Sequence, residues 1–495
     1  MKRRHLWIWI SALALVLGFV YYRTLLPTIG STGDTAKFDF VGYVLGTPHA
    51  PGYPTYIVVN HLFTKYYPFG GLAHKANLLS AIFSVIASIF LFLILLLLDI
   101  KPRIAFCTAL TFGFTRTLWS QSIVAEVYTL NILFLAMTVY FLLKWNQTKK
   151  TMHLLIACAI YAFSFGNHLT MIMMLPGIFF LVLLTDRSVF VQPKIIVPVF
   201  LFIVLSALQY SYLIWRFYDP TTRYLEMETS DLGTLWWGVT GGQFKWRMFD
   251  FTIHEVLTSR ISIVLQFIWR EYLFLIPVAL LGIYLLRKNV PVITFLLLCI
   301  IGNIAWTINY DIPDIFVYLI PCYFLIAIFI GIGLERLDNL STGRLQLLAG
   351  ILIAAIPIFF LVHNYREVDL HKHTQEAQQI QEIIDVMQKD AIIVPHGYRE
   401  KEYLLYYLVG EGLQKRNLWV VEHALIKQVF AYLNCKQPIY IRQLQKSIPP
   451  GLKVYCLGPE IRGLFEAEGF QIVKISDGLF LVKPDVSPKQ ASPCN

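Results

Sequence analysis

Four short polar clusters hold the residues with chemistry to offer. The first reads Gly30-Ser-Thr-Gly-Asp34-Thr-Ala-Lys37-Phe-Asp39 and continues through Gly46-Thr-Pro-His49-Ala-Pro-Gly52-Tyr53-Pro54. A carboxylate such as Asp34 can take the proton of an attacking hydroxyl held within hydrogen-bond reach. The same side chain could instead cap a short helix starting at Thr35, because aspartate accepts well from free N–H groups at a helix start. Pro48, Pro51, Gly52 and Pro54 fix a non-helical path around His49. A single loop histidine is more often structural or exposed than catalytic.

The second cluster runs from Trp119 to Asn131 and contains Glu126 and Tyr128, with Arg116 just ahead of it. Glu126 either complements the dipole of the helix that follows or forms a polar wall facing a cavity. The third is Gly166-Asn167-His168-Leu-Thr170, and the fourth is Asn309-Tyr310-Asp311-Ile-Pro-Asp314. No CxxC or HExxH spacing occurs, so no protein-bound metal is expected.

The elements that must position these clusters are apolar. The chain has 495 residues, 57% hydrophobic, 15% aromatic and only 15% charged. A soluble chain averages about 25% charged, which excludes a disordered protein, a coiled coil and an ordinary soluble enzyme. Apolar runs near 20 residues read as membrane helices. They fall at 6–22, 76–98, 104–118, 127–143, 154–165, 169–184, 195–214, 272–286, 290–308, 315–333 and 345–362, about eleven spans. The first follows Lys2, Arg3 and Arg4, as a signal peptide would. It lacks a small-x-small cleavage site and ends in Tyr21-Tyr22-Arg23, which favours an uncleaved anchor.

The net charge of +10 could mark a nucleic-acid surface or record topology. With the amino end inside, the inner segments carry roughly 14 basic and 4 acidic residues, while the outer loops and tail are each near balance. The excess is therefore an orientation signal, and no nucleic-acid partner is expected. All four clusters then share the outer face. Arg116, Arg223, Lys245 and Arg247 there could hold an anionic head group. A transporter would more often place ionisable residues near the bilayer midplane, and mid-span charges are scarce here. A transporter or flippase of lipid-linked saccharides is thus the second reading.

The fold class expected is an α-helical polytopic membrane protein with a small C-terminal soluble α/β domain. Residues 1–363 form the membrane part, with long outer loops at 23–75 and 215–271. Within them, 53–67 and 261–269 suit helices lying in the interface. Residues 364–495 form the outer domain. Its helices are expected at 375–388 and 402–409, its strands at 391–394, 418–421 and 453–457, and a closing hairpin at 470–475 and 479–482. Cys435 and Cys456 could pair there in an oxidising compartment. The sequons at Asn146 and Asn339 fall on inner loops, which fits a bacterial or archaeal envelope.

The segments GDTAKFDFVGYVLGTPHAPGYPTYIVVNHLF, WSQSIVAEVYTLN, GNHLTMIMMLPG and NYDIPDIFVYLIPCY resemble the protein O-mannosyltransferase-like family of GT-C membrane glycosyltransferases. The resemblance covers residues 24–185 and 306–335 and is weak in the tail. It implies a GT-C core whose catalytic aspartate, in the first outer loop, matches Asp34. It implies a sugar donor on a polyprenyl or dolichyl phosphate, no other cofactor, and a protein, glycan or lipid acceptor. His49, Tyr53, Glu126, Tyr128, Asn167 and His168 would line the cavity, with Arg116, Tyr310, Asp311 and Asp314 beside them. Lys37 stands where the family segment often carries an acid. The setting expected is a bacterial inner membrane. Topology is checked by reporters fused to the carboxyl end: an extracytoplasmic signal is expected, and a cytoplasmic one would remove the outer-face argument.

Overall fold

The computed structural model describes residues 3–341, 343–412, 416–441 and 446–483. Lys2, Cys494 and the side chains of Arg3 and Arg4 lie outside this description. Among the described residues, nine helical stretches are long and apolar enough to cross a membrane. Two of the expected spans fall short. The helix Pro102–Gly113 breaks at Phe114 and restarts as Arg116–Ser122, and the helix Thr151–Ser164 has only 14 residues. Both still carry the chain between the same two ends of the bundle. At one end Lys101 Nζ meets Asp338 on the helix Ile320–Leu340 at 2.6 Å. At the other, Trp119 Nε1 donates to Thr24 Oγ1 (2.9 Å), and Asn167 Nδ2 donates to the Val127 carbonyl (3.2 Å).

Side chains replace the helix bonds lost at the breaks. Buried Glu271 accepts from both the N–H and the hydroxyl of Thr117 (2.8 and 2.7 Å). That satisfies donors which a restarted helix leaves free. The segments expected in the interface are helical, at Pro54–Tyr66 and Ile261–Tyr272, and the second belongs to the longer apolar stretch Ile253–Leu286. The last membrane helix, Gly343–Val368, runs past the expected boundary at 363.

Among its described residues the tail has seven strands: β1 (Ala391–Val394), β2 (Leu418–Val420), β3 (Ile439–Ile441), β4 (Lys446–Ile448), β5 (Lys453–Leu457), β6 (Gln471–Ser476) and β7 (Leu479–Lys483). Five form a sheet in the order β2-β1-β5-β7-β6. β1 is parallel to β2 and β5; β7 is antiparallel to β5 and β6. The β6–β7 hairpin turns at the expected Ser476-Asp477-Gly478. β3 and β4 pair separately. The Cys435–Cys456 pairing is not made: Cys456 is a free thiol, fully buried on β5 between β1 and β7.

The tail is docked firmly on the bundle. Leu370 N–H bonds to the Thr24 carbonyl (3.1 Å), and the Tyr406 hydroxyl accepts from Ala73 N–H (3.2 Å). One apolar core runs from Leu13 to Val482. Within the bundle, the helices Ile276–Leu286 and Ile320–Leu340 pack backbone to backbone. A Cβ on Gly282 would lie 2.0 Å from the Phe329 carbonyl oxygen, and one on Gly333 would lie 2.2 Å from that of Val278. Small residues allow such approach in apolar surroundings, where van der Waals packing holds helices together. Gly282→Ala should therefore cost about 1–3 kcal/mol by overpacking, read as a lowered Tm in detergent. Gly71→Ala, at an open position, should leave Tm unchanged.

Candidate active site

The helix Gly33–Val41 carries the centre of the site. Thr32 is its N-cap, accepting from Thr35 N–H at 3.1 Å. The capping role considered for Asp34 thus falls to Thr32, and the Asp34 carboxylate turns outward from the first turn, 43% exposed. Its Oδ1 accepts from the Tyr398 hydroxyl at 2.7 Å and lies 3.5 Å from Lys37 Nζ and 3.7 Å from His49 Nδ1. Among the described residues, Oδ2 receives no hydrogen bond. Lys37 is one helical turn on, so the two side chains share a face. Asp39 lies about 140° round the helix from Asp34, fully buried with neither oxygen hydrogen-bonded.

Lys37 is itself fully buried. Its ammonium pairs with Glu226 at 2.6 Å and donates to His49 Nδ1 at 3.2 Å. That contact places the His49 proton on Nε2, which meets the Tyr53 hydroxyl at 3.2 Å. Gly52 and Tyr53 both have positive φ, +87° and +46°, and this turn folds the Tyr53 ring back onto His49. A non-glycine residue in that region is strained and needs support from its surroundings. Glu226 is delivered by a short parallel bridge. Thr47 N–H bonds to the Tyr224 carbonyl (3.0 Å), and Glu226 N–H bonds to the Thr47 carbonyl (2.8 Å). A Cβ on Gly46 would meet that Tyr224 carbonyl at 2.9 Å.

The second and third clusters form the adjoining wall. Glu126 is buried and accepts from the Thr35 hydroxyl at 3.3 Å. Asn167 is buried, and its Nδ2 donates to Val127 O, so it braces that wall. His168 Nδ1 accepts from the Thr170 N–H (3.3 Å) and hydroxyl (2.8 Å). The His168 ring lies 5.8 Å from Tyr128, 6.3 Å from Tyr53 and 5.5 Å from Tyr318. Tyr128, Asn131, His168 and Tyr318 line a narrow pocket.

The fourth cluster closes the far side. Tyr310 stacks edge-on against Tyr318 at 5.5 Å. Asp311 N–H bonds to the Arg247 carbonyl at 2.9 Å, and Met248 bridges to Tyr310, which brings Arg247 alongside. Asp311 and Asp314 lie at the surface. Arg116 is not brought in: its Nε pairs with Glu367 at 2.6 Å, both side chains about half exposed. Glu226, Tyr398 and Glu402 had no signal in the sequence, because each reaches the site from an element distant along the chain; Tyr318 lies within the segment that carries the resemblance, four residues after Asp314, and was not singled out.

The acids divide by environment. Burial pushes the Asp34 carboxyl up, but protonated His49, Lys37 and the Tyr398 hydroxyl outweigh it and leave it at about 2. Burial lifts Glu126 and Asp39 well above the usual carboxylate range, and neighbouring acids add to it. Glu226 is held below its ordinary value, since Lys37, then His49 and Lys401, outweigh burial. Burial raises Glu402 to about 7 against Lys37 and Lys401. Burial, then opposition from Lys37, keeps His49 below its ordinary value; burial and His49 take His168 down to about 4. Near neutrality the site presents ionised Asp34 and Glu226 beside the Lys37 ammonium, with neutral imidazoles and the neutral acids Glu126 and Asp39 around them. Among the described residues, no three His, Cys, Asp or Glu side chains gather to hold a metal ion.

This fold is that of the GT-C membrane glycosyltransferases. ArnT from Cupriavidus metallidurans, in a crystal structure bound to undecaprenyl phosphate, matches with a TM-score of 0.64 at 11% identity, over 96% of this chain and 97% of ArnT. The Archaeoglobus fulgidus oligosaccharyltransferase, in complex with Zn and sulfate, matches with a TM-score of 0.54 at 10% identity, over 92% of this chain and 68% of that one. Within this class, residues 34–190 match the family model for the N-terminal domain of protein O-mannosyl-transferase TMEM260. The mouse protein O-mannosyl-transferase TMEM260 is 27% identical over 424 residues, 79% of this chain and 59% of the mouse protein. The Dictyostelium discoideum protein of the same name is 30% identical over 123 residues, 24% of this chain and 15% of its own. The chain thus spans less than two thirds of these relatives, and the family-model match falls on the part that holds the first three clusters. Fold and helices together make it an integral membrane protein.

Lys37 supplies a test of the site's construction. Removing one partner from a buried ion pair costs about 3–5 kcal/mol, because a charge is left uncompensated. Lys37→Met should lower Tm accordingly. Adding Glu226→Gln should recover part of that loss, measured as a coupling energy in a double-mutant cycle.

Proposed function

We propose that this protein is an inverting glycosyltransferase that moves a sugar from a polyprenyl-phosphate-linked donor to an acceptor hydroxyl at the outer membrane face. The observation that carries the reading is Asp34 itself. It is an ionised, half-exposed carboxylate with one oxygen held and the other unoccupied, at the end of the bundle where all four clusters meet. The relatives named O-mannosyl-transferase and the ArnT structure with undecaprenyl phosphate support the reaction class and the donor type.

In this reaction the acceptor oxygen forms a bond to the anomeric carbon, and the bond from that carbon to the phosphate oxygen breaks. The electron pair leaves with the lipid phosphate, and the acceptor proton passes to Asp34. A carboxylate with so low a pKa is a weak base towards a resting alcohol. The acceptor oxygen becomes acidic as it commits its lone pair to carbon, so the transfer comes late and needs position more than basicity. One displacement inverts the anomeric centre. Arg247, beside Tyr310 and Asp314, is placed to meet the leaving phosphate. No metal is required in this scheme. Tyr53, Tyr128 and Tyr318 offer ring faces and hydroxyls to a sugar, and neutral Glu126 can donate to it.

The reading places the amino end in the cytoplasm and the α/β tail outside, in a cell envelope. It is tested by Asp34→Asn in membranes supplied with a polyprenyl-phosphate sugar. Loss of a general base should lower transfer by about 10²–10⁴-fold, with the protein still folded. Transfer at the wild-type rate would overturn the assignment.

A further inference from the structure

The contact that fixes Asp34 comes from the far end of the chain. Tyr398 opens the tail helix Tyr398–Leu405, 364 residues away in sequence, and its hydroxyl donates to Asp34 Oδ1 at 2.7 Å. Room for its ring is reserved on the helix that carries Asp34. A Cβ on Gly33 would lie 2.7 Å from two of the Tyr398 ring carbons and 3.3 Å from Arg399 Cα. Two ammonium groups lie against the ring, with Lys37 at 4.9 Å and Lys401 at 5.0 Å from its centroid.

The tail helix is held in place by buried contacts. Glu402 is fully buried, 3.2 Å from Lys401 Nζ, and both its oxygens lie 3.4 Å from the Tyr224 hydroxyl. Tyr224 belongs to the bridge that delivers Glu226 to Lys37. At the other end of the contact, a Cβ on Gly410 would meet Phe40 Cβ at 2.7 Å. The two helices are therefore matched along their length, and Tyr398 reaches Asp34 as part of that fit.

We propose that the tail domain is a working part of the active site, with Tyr398 as a positioning residue that holds Asp34 Oδ1 and leaves Oδ2 turned to the acceptor. The proposal rests on the reading of Asp34 as the base. A carboxylate is free to turn about its last bond and can offer either oxygen in many directions. With Oδ1 held by the Tyr398 hydroxyl and the Lys37 ammonium, one oxygen remains and its direction is set. Tyr398 stays a neutral phenol throughout, because burial first, then the surrounding carboxylates, push its own ionisation far up. It donates a hydrogen bond and transfers no proton.

The test is Tyr398→Phe in the full-length protein, which keeps the ring and its packing and removes only the hydroxyl. The measurements are kcat and donor KM against pH, with a polyprenyl-phosphate sugar, and Tm in detergent. Lys37 and His49 face Asp34, and the fields of Glu126 and Asp314 reach it. All four are unchanged in the variant. The hydroxyl lowers the Asp34 pKa, so its removal raises that pKa, and the acid limb of the profile should move up by about one pH unit. A fall in kcat of about 10-fold is expected, with donor KM within about twofold and Tm unchanged. Gly33→Ala, which displaces the ring from the other side, should shift the limb in the same direction. If Tyr398→Phe leaves both kcat and the acid limb unmoved, or lowers kcat without moving the limb, the positioning role is overturned while the Asp34 reading stands. If Asp34→Asn transfers at the wild-type rate, the base reading and this proposal fall together.

Discussion

The site is organised by one buried cation. The Lys37 ammonium has no exposure to solvent, and a charge in that position is tolerable only with counter-charge and hydrogen bonds around it. Four groups supply them from four segments: Asp34 on its own helix, His49 in the following loop, Glu226 in the second long loop, and Glu402 in the tail through its field. Meeting that requirement forces the two loops and the tail domain together at one end of the bundle. The exposed Arg116–Glu367 pair is a useful contrast. A pair of that kind contributes about 0–1 kcal/mol and constrains little.

Around this cation, the acids take different protonation states from their surroundings. Asp34 and Glu226, close to Lys37, stay ionised, while Glu126 and Asp39, buried without a cation, stay neutral. The result is a wall of neutral aromatic, imidazole and carboxylic groups beside the ionised Asp34. Such a wall suits a sugar, which offers hydroxyls and ring faces and carries no charge. In the proposed reaction it would also limit repulsion towards an anionic lipid phosphate.

The tail domain changes meaning in this setting. As a sequence it reads as a soluble appendage, and its strands and helices fall close to where their periodicity places them. Docked, it contributes Tyr398 to Asp34, Glu402 to the field at Lys37 and Tyr406 to the start of the helix Leu72–Leu97. Gly33 and Gly410 mark the two ends of that contact by the absence of a side chain.

The sequence by itself determined the membrane character, most of the spans, the tail elements and the clusters around Asp34, His49, Glu126 and His168. These rest on local signals: apolar runs, strand alternation, proline and glycine punctuation, and motifs that are contiguous in the chain. It also showed Lys37 as a departure but not its use, since a lysine in a short helix looks solvated until its neighbours are known. Tertiary structure decided that Thr32 and not Asp34 caps the helix, that Arg116 stands apart, and that Cys456 is free. It also brought in Glu226, Tyr318, Tyr398 and Glu402. The physical reason is common to all of these. Burial and counter-charge are properties of the space around a side chain, and here that space is filled by segments up to 364 residues away.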